Sequence, residues 1–298
     1  MGLLTSLIGS VGVLGTGALT YSLAEAQSFT CREFSIDVLP PGSSDIRLLH
    51  LSDLHLTPSQ TRKIKWLQSL AKFEPDLVVG TGDFLAHRFG VAAVAEALNP
   101  LMHIPGMFVL GSNDYFAPFF KNPFRYLAGT RKVANSGQEL PTDDLVNLFL
   151  DHDWIDLNNK QDLINIKGVK IHARGTNDPH IKLDDYSKVS GAYAEDAFSL
   201  GVTHAPYLRV LEQFSQDKTD FMLAGHTHGG QVCVPFYGAL VTNCDLPTKQ
   251  AKGLSAFAHN GYEMPLHVSA GIGTSPYTPV RFACRPEASL ITLRARST

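Results

Sequence analysis

The chain has 298 residues, with 25 basic and 28 acidic side chains, a formal net charge of −3 and 44% hydrophobic residues. This length suits one large α/β domain or two domains of about 150 residues, and it is long enough to bury a core, so a disordered chain is not expected. The balanced charge gives no positive field for nucleic acid, which argues against a DNA- or RNA-binding protein. Four widely separated cysteines without a C-x-x-C pair argue against a zinc ribbon or a disulfide scaffold.

Residues 1–30 are predicted to form a membrane anchor or a signal segment. From Gly2 to Ala24 the chain carries no charged side chain, and a helix of that length, at about 1.5 Å per residue, would cross a bilayer core. A cleaved signal peptide is the alternative, because Ala24-Glu25-Ala26 offers a small-residue cleavage site, but no basic residue precedes it. We therefore expect residues 3–24 to hold the protein in the membrane as an uncleaved anchor.

The side of the membrane is suggested by the first basic residues. Arg32 and Arg47 follow the uncharged segment, which favours a cytoplasmic position for the rest of the chain by the positive-inside tendency. Two arginines are a small signal, so export stays the alternative.

Beyond this segment, short apolar runs alternate with helical patterns. Ile46–Ser52 and Leu77-Val78-Val79 have strand length, and Arg62–Lys72 between them has helical spacing. Val91–Leu98 predicts a second helix and Met107–Leu110 a third strand. Strands so uniformly apolar are typical of a sheet buried on both faces, so we predict an α/β domain.

The alternation breaks at about residues 115–160, which we interpret as an insertion in a domain covering residues 45–298. After the insertion, a hairpin is predicted around Lys167-Gly168, and further strands at 197–203 and 221–224.

Five of the predicted strands end in loops that carry metal-ligating side chains. In α/β sheets the carboxyl ends of the strands gather at one edge, so we expect these loops to converge on a ligand. Mixed imidazole and carboxylate ligands suit Mn, Fe or Zn better than Mg or Ca. The side chains in question are those of Asp53, His55, Asp83, Asn113, Asp114, His204, His226 and His228.

In this order the fragments resemble the motifs of the calcineurin-like metallophosphoesterases, D-x-H, G-D-x, G-N-H-D/E, H and G-H-x-H. Gly225–Gln231 and Gly271–Ser275 are also similar to the bacterial membrane-associated branch, which includes lipid-headgroup phosphodiesterases. The resemblance runs from Ile46 to the C-terminus. It implies a four-layer α/β/β/α sandwich of two mixed sheets, here preceded by an N-terminal hydrophobic helix. The matching fragments are Asp53-Leu54-His55, Gly82-Asp83-Phe84, Gly111-Ser112-Asn113-Asp114, His204 and Gly225-His226-Thr227-His228.

The family resemblance implies two divalent transition metal ions, Mn, Fe or Zn, that share Asp83 as a bridging carboxylate. Asp53, His55 and His228 would complete one site, and His204 and His226 belong to the other. Such a metal pair implies hydrolysis of a phosphoester by attack of a metal-bridging hydroxide. A phosphodiester of a lipid headgroup or of a nucleotide-like substrate is favoured over a monoester. The alternative is a membrane-anchored, metal-poor binding or scaffold protein with a degraded site.

The third motif departs from the family pattern, because the family's Asn falls on Ser112 and its His on Asn113. Either Asn113 supplies the amide oxygen to the second metal, or Ser112 does so and Asn113 donates a hydrogen bond to the phosphate. Asn113 cannot act as an acid, since its amide does not titrate in the useful range. Asp114, Asp178 and His180 are candidates for that role, although Asp178-Pro179 is typical of a turn with His180 exposed. We predict Asn113 and Asp114 as catalytic residues.

Overall fold

Two mixed sheets form the body of the protein, as the family resemblance implies, and each has six strands. The structure is a computed structural model, and it describes residues 15–119 and 137–297. The first sheet contains, in spatial order, β1 (Thr30–Leu39), β14 (Glu287–Ala295), β2 (Ile46–Leu51), β3 (Leu77–Thr81), β4 (Gly106–Val109) and β5 (Ile155–Asp156). The second contains β12 (Gly253–His259), β13 (Tyr262–Val268), β9 (Phe221–Ala224), β8 (Phe198–Val202), β7 (Val169–Gly175) and β6 (Lys160–Ile166).

Shorter elements connect and cover these sheets. A small hairpin is formed by β10 (Cys233–Val234) and β11 (Gly238–Ala239). The α-helices are α1 at the described residues 15–25, α2 (Thr61–Gln68), α3 (Gly90–Leu98), α4 (Ser112–Tyr115), α5 (Thr142–Leu150) and α6 (Leu208–Gln216). Single turns of 3-10 helix occur at Ser69–Phe73, Asn99–Leu101, Tyr186–Lys188, His228–Gly230 and Thr248–Gln250.

The packing has four layers, because each sheet is apolar on both faces. Leu48 of β2 lies in the core between the two sheets, whereas its neighbour Leu49 lies in the core under α2, α3 and α5. On the far side, α6 packs Phe214 against Met222 of β9. Alternate side chains of a strand point to opposite faces, so an unbroken apolar strand such as β2 can serve two cores at once.

The parallel strands carry the functional loops to a common edge. Strands β2, β3 and β4 are mutually parallel, and so are β7, β8 and β9. Backbone pairing continues just beyond the strand ends, where Asp53 N donates to Gly82 O at 2.9 Å and Gly225 N donates to His204 O at 2.8 Å. The loops after these strands are therefore held close together.

The predicted N-terminal membrane anchor is not found among the described residues. Within 15–119 and 137–297, no helix combines the length and the apolar character needed to span a bilayer. On this finding the prediction of a membrane-anchored protein is wrong; residues 3–14 of the predicted segment lie outside the described residues. Helix α1 instead packs on the domain, with the Tyr21 ring 5.2 Å from that of Phe282 and the Glu25 carboxylate accepting from Ala283 N at 2.9 Å.

The region of the predicted insertion is described only in part, because residues 120–136 lie outside the described residues. Its remaining residues form α5, which packs on the first sheet, and β5, which pairs with β4 at the edge of that sheet.

Two histidines face each other in the interface between the sheets. His50 of β2 and His267 of β13 are fully buried, with their Nδ1 atoms 3.0 Å apart. His50 Nε2 also lies 2.8 Å from the Thr81 hydroxyl. Burial lowers the pKa of His267 to about 3, and burial together with His267 lowers that of His50 well below its usual value. Both rings are therefore neutral near pH 7.

This pair makes stability fall as the pH is lowered. In the unfolded chain a histidine binds a proton near pH 6.5, whereas His267 in the folded protein stays neutral until about pH 3. Between these values the unfolded state binds more protons, so each such histidine contributes up to about 1.4 kcal/mol of lost stability per pH unit. We expect His267→Gln to reduce this slope in urea unfolding measured from pH 7 to pH 4.5. The matched change at the exposed His103, His103→Gln, should leave it unaltered, and an unchanged slope in His267→Gln would contradict the argument.

Candidate metal centre

The first group of predicted ligands is Asp53, His55 and His228, whose ligating atoms lie within 4.8 Å of one another. His228 Nε2 is 3.5 Å from Asp53 Oδ1 and 3.3 Å from His55 Nε2. The other Asp53 oxygen, Oδ2, accepts from the Ser52 hydroxyl at 2.6 Å and from His226 N at 3.0 Å. Oδ1 is buried and has no hydrogen-bond partner among the described residues. A buried, unpaired carboxylate oxygen beside two imidazoles fits a bound cation.

The second group contains Asp83 and His204, again with Asp53. Asp83 Oδ2 lies 3.5 Å from His55 Nε2 and 3.6 Å from His204 Nε2. His226 adjoins this group, with its Nδ1 3.3 Å from His204 Nε2. One oxygen of Asp83 thus faces ligands of both groups, which is the position that a bridging carboxylate requires.

Asn113 joins the cluster and Ser112 does not. The side-chain Nδ2 of Asn113 donates to Asp83 Oδ2 at 2.7 Å, and its backbone N donates to Asp83 Oδ1 at 2.8 Å. A half-turn of the amide would bring its oxygen to the same place, since the two ends of an amide have nearly the same shape. Within the described ranges, the Ser112 hydroxyl makes no hydrogen bond; the backbone carbonyl of Ser112 accepts from Phe116 N at 3.0 Å.

Asp114 is buried in α4, and among the described residues its carboxylate accepts hydrogen bonds only from backbone N–H groups. Its Oδ2 takes hydrogen bonds from Asp83 N at 2.8 Å and Gly111 N at 2.9 Å, and its Oδ1 takes one from Leu85 N at 3.0 Å. Burial and the nearby Asp83 raise the pKa of Asp114 to about 7. With both oxygens engaged inside the protein, this geometry favours a structural role for Asp114 over the catalytic role that the sequence predicted.

Five of the predicted ligands have left-handed backbone conformations, which non-glycine residues seldom adopt. Each costs roughly 1–2 kcal/mol, and such strain persists where the surrounding structure fixes it, often at functional sites. Gly111 contributes differently, because a Cβ there would collide with Asp83 Oδ1. The five φ values are 51° at Asp53, 43° at His55, 55° at Asp83, 69° at His226 and 50° at His228.

The histidines of the cluster divide into two electrostatic classes. Burial, aided by neighbouring histidines, lowers the pKa values of His55 and His226 well below the usual range, and burial also lowers that of His228. Each of these rings is therefore neutral near pH 7 and keeps one unprotonated nitrogen that is able to bind metal. Burial would lower the pKa of His204 too, but the carboxylates of Asp83, Asp178 and Asp53 outweigh it and raise that pKa to about 9.

His180 lies at the site, contrary to the prediction of an exposed turn residue. Its ring centroid is 4.6 Å from that of His226, and its Nδ1 is 3.0 Å from the Tyr207 hydroxyl. The backbone N of His180 donates to Asp178 Oδ1 at 2.8 Å, and Asp178 is fully buried. The sequence signal that could have placed His180 at the site is the position of its segment, which follows β7. The carboxyl end of β7 lies at the same sheet edge as those of β8 and β9.

The comparison with known families gives a direct result. A model of the calcineurin-like phosphoesterases matches residues 46–230. The chain belongs to this family. Membership confirms the resemblance read from the motifs, and the matched span includes every side chain of the two metal-ligand groups.

Several relatives of this calcineurin-like phosphoesterase match most of its length. The uncharacterized metallophosphoesterase YkoQ of Bacillus subtilis (strain 168) is 28% identical, over 83% of this chain and 83% of YkoQ. The uncharacterized metallophosphoesterase YkuE of the same strain is 25% identical, over 97% of this chain and 96% of YkuE. Phosphodiesterase YaeI of Escherichia coli (strain K12) is 26% identical, over 74% of this chain and 71% of YaeI.

The structural role of Asp114 can be tested through stability. Asparagine offers one acceptor oxygen in place of two, so in Asp114→Asn at least one of the three backbone N–H groups loses its acceptor. We expect the free energy of unfolding, measured in urea, to fall by about 1–3 kcal/mol. The same change at the exposed Asp151, Asp151→Asn, is the control and should have almost no effect. Wild-type stability in Asp114→Asn would contradict the assigned hydrogen bonds.

Proposed function

We propose that this calcineurin-like phosphoesterase is a hydrolase that cleaves a phosphodiester with the help of two divalent transition metal ions. The observation that carries the proposal is the position of Asp83 Oδ2, 3.5 Å from His55 and 3.6 Å from His204. The proposal is also supported by Asp53 Oδ1, which is buried, has no hydrogen-bond partner among the described residues and lies beside His55 and His228. A degraded binding or scaffold site has no reason to keep such an arrangement.

The proposed ligands divide between the two ions, with Asp83 shared. Asp53, His55 and His228 would hold one ion, and Asn113, His204 and His226 the other. When bound, the two ions would neutralise phosphoryl oxygens and make a water molecule nucleophilic near neutral pH. No protein nucleophile is needed for this reaction class.

The side chains prepare the site before a cation enters. His55, His226 and His228 are held neutral by burial, so their nitrogen lone pairs are available. The Ser52 hydroxyl and the backbone N–H of His226 fix Asp53 Oδ2 by hydrogen bonds. The other oxygen, Oδ1, lies near His228. A site fixed in this way loses little entropy on binding.

The substrate class is proposed from the relatives rather than from the site. Phosphodiesterase YaeI is named for phosphodiester cleavage, which favours a diester over a monoester. Mn, Fe and Zn all suit the mixed imidazole and carboxylate ligands. A panel of phosphodiesters and phosphomonoesters, including lipid-headgroup and nucleotide-like diesters and assayed with Mn²⁺, would identify the class.

The shared carboxylate gives the sharpest test of the two-metal proposal. Asp83→Asn keeps the shape of the side chain but removes its charge, so we expect loss of most bound metal and a fall in hydrolysis of more than about 100-fold. Metal content by mass spectrometry and rates on the diester panel measure this. Asp143→Asn, at an exposed site in α5, is the matched control. Two bound ions and a near-normal rate in Asp83→Asn would contradict the assignment, whereas a wild type with neither metal nor hydrolysis would favour the scaffold alternative.

The altered third motif is tested by comparing neighbouring residues. Asn113 donates to Asp83, whereas the Ser112 hydroxyl makes no hydrogen bond within the described residues. We therefore expect Asn113→Ala to weaken binding of one metal ion by about 10–100-fold. Ser112→Ala should bind both ions as the wild type does. If Asn113→Ala slows turnover but keeps both ions, Asn113 serves as a hydrogen-bond donor to the phosphate and not as a ligand.

A further inference from the structure

A fully buried arginine lies behind the first group of proposed ligands. Arg281 is 0% exposed and is among the largest completely buried side chains of the described residues. In the described part of the chain, its guanidinium makes no ion pair and donates to carbonyl oxygens and a thiol. Burial lowers its pKa from the ordinary value, but an arginine stays protonated in proteins. A buried cation without a directly bound carboxylate is costly, so its position calls for an explanation.

The guanidinium of Arg281 joins two separate turns. Its Nη2 donates to Gly271 O at 3.0 Å and to Gly273 O at 2.8 Å. Its Nη1 donates to His228 O at 3.3 Å, and Nη2 lies 3.4 Å from His228 Nδ1. One planar group therefore holds the turn at residues 271–273 against the turn that carries His228.

The turn at residues 271–273 is also bonded to the backbone at Asp53. Gly273 N donates to Asp53 O at 2.6 Å, and Ile272 N donates to Ser52 O at 3.0 Å. Gly271 has φ +71°, and a Cβ there would lie 2.8 Å from Asp53 Cβ. This turn is in direct contact with the backbone and the side chain of Asp53, so any movement of the turn would move this ligand.

We propose that Arg281 is a positioning residue that sets Asp53 and His228 at the separation required to bind one of the two metal ions. The proposal rests on the proposed function, since it takes Asp53 and His228 as ligands of the same ion. It also gives a role to the Gly271–Ser275 sequence, which the metal ligands alone do not explain. Only arginine has five donors in a rigid planar fork; a lysine ammonium is a point donor that cannot span both turns in the same geometry.

The role is specific to one half of the metal centre. Arg281 contacts His228 directly and Asp53 through the 271–273 turn, and it makes no hydrogen bond to Asn113, His204 or His226 within the described residues. Loss of the guanidinium should therefore weaken one ion and spare the other. A general loss of stability would instead affect both.

The chain offers a matched control in Arg174. This arginine is 1% exposed, and it donates to Gly191 O at 2.7 Å and Ala192 O at 2.6 Å, with Asp217 at 3.3 Å. It makes no hydrogen bond to the proposed ligands among the described residues. Substituting Arg174 removes an equally buried guanidinium from a different part of the fold.

The experiment titrates chelator-treated full-length protein with Mn²⁺ and measures both stoichiometry and affinity. We expect wild type to bind two ions, and Arg281→Lys and Arg281→Met to bind one with wild-type affinity and the second about 10–100-fold more weakly. Excess Mn²⁺ should restore diester hydrolysis in Arg281→Lys. Arg174→Met should lower the unfolding midpoint but keep both affinities.

The outcomes separate the two proposals. Wild-type affinity for both ions in folded Arg281→Lys would overturn the positioning role and leave the proposed function intact. Equal weakening of both ions, at a temperature where circular dichroism shows the variant folded, would also overturn it. Wild-type protein that binds no Mn²⁺ would overturn the proposed function, and with it the role of Arg281.

Discussion

The burial of two aspartate carboxylates determines how the loops around this site are built. Asp53 and Asp83 are 0% and 2% exposed, at the point where the strands of both sheets end. A buried carboxylate costs several kcal/mol unless hydrogen bonds or cations compensate. The hydroxyl of Ser52 and the backbone N–H groups of His226 and Asn113 provide part of this compensation. Together with Asp178, these two carboxylates raise the pKa of His204 to about 9 despite its burial, so they strongly favour a positive charge at this place.

Two other buried ionisable groups, Asp114 and Arg281, form hydrogen bonds to the backbone of the same loops. Asp114 accepts hydrogen bonds from the backbone of the Asp83 and Gly111 loops, and Arg281 donates to the carbonyls of the His228 and Gly271 turns. The Asp114 carboxylate accepts from backbone N–H groups, and the Arg281 guanidinium donates to backbone carbonyl oxygens. Together they satisfy backbone groups that irregular, buried loops would otherwise leave unpaired. The bonds from the Asp83 and Leu85 N–H groups to Asp114 help to fix the left-handed conformation of Asp83.

The sheets and the clustering of the candidate ligands could be predicted because their signals are local. The β2 and β3 segments are unbroken apolar runs, and Asp53 and Asp83 follow them within a few residues. Strand β12 was missed, because Gly253–His259 is an edge strand that is only partly buried and has no apolar run. Such a strand gives no clear periodicity in the sequence.

The remaining errors concern contacts between distant parts of the chain. Arg281 lies in a loop rich in glycine and proline, and only the folded structure shows that its guanidinium meets His228. His180 was interpreted as an exposed turn residue because the packing of β7 beside β8 and β9 cannot be read from Asp178-Pro179. In the N-terminal segment, the lack of charge predicts a membrane helix. In the structure, Ser22 and Glu25 of α1 are buried against the domain.

The division of the ligands between two sheets has a consequence for synthesis on the ribosome. Asp53, His55 and Asp83 follow strands of the first sheet, whereas His204, His226 and His228 follow strands of the second. Strand β14, which pairs with both β1 and β2, comes at the far end of the chain. In a nascent chain the candidate ligands of the first sheet therefore emerge well before those of the second, and strand β14, which completes the first sheet, emerges after both. Cation binding at the proposed centre would then come late in folding and would link loops of the two sheets.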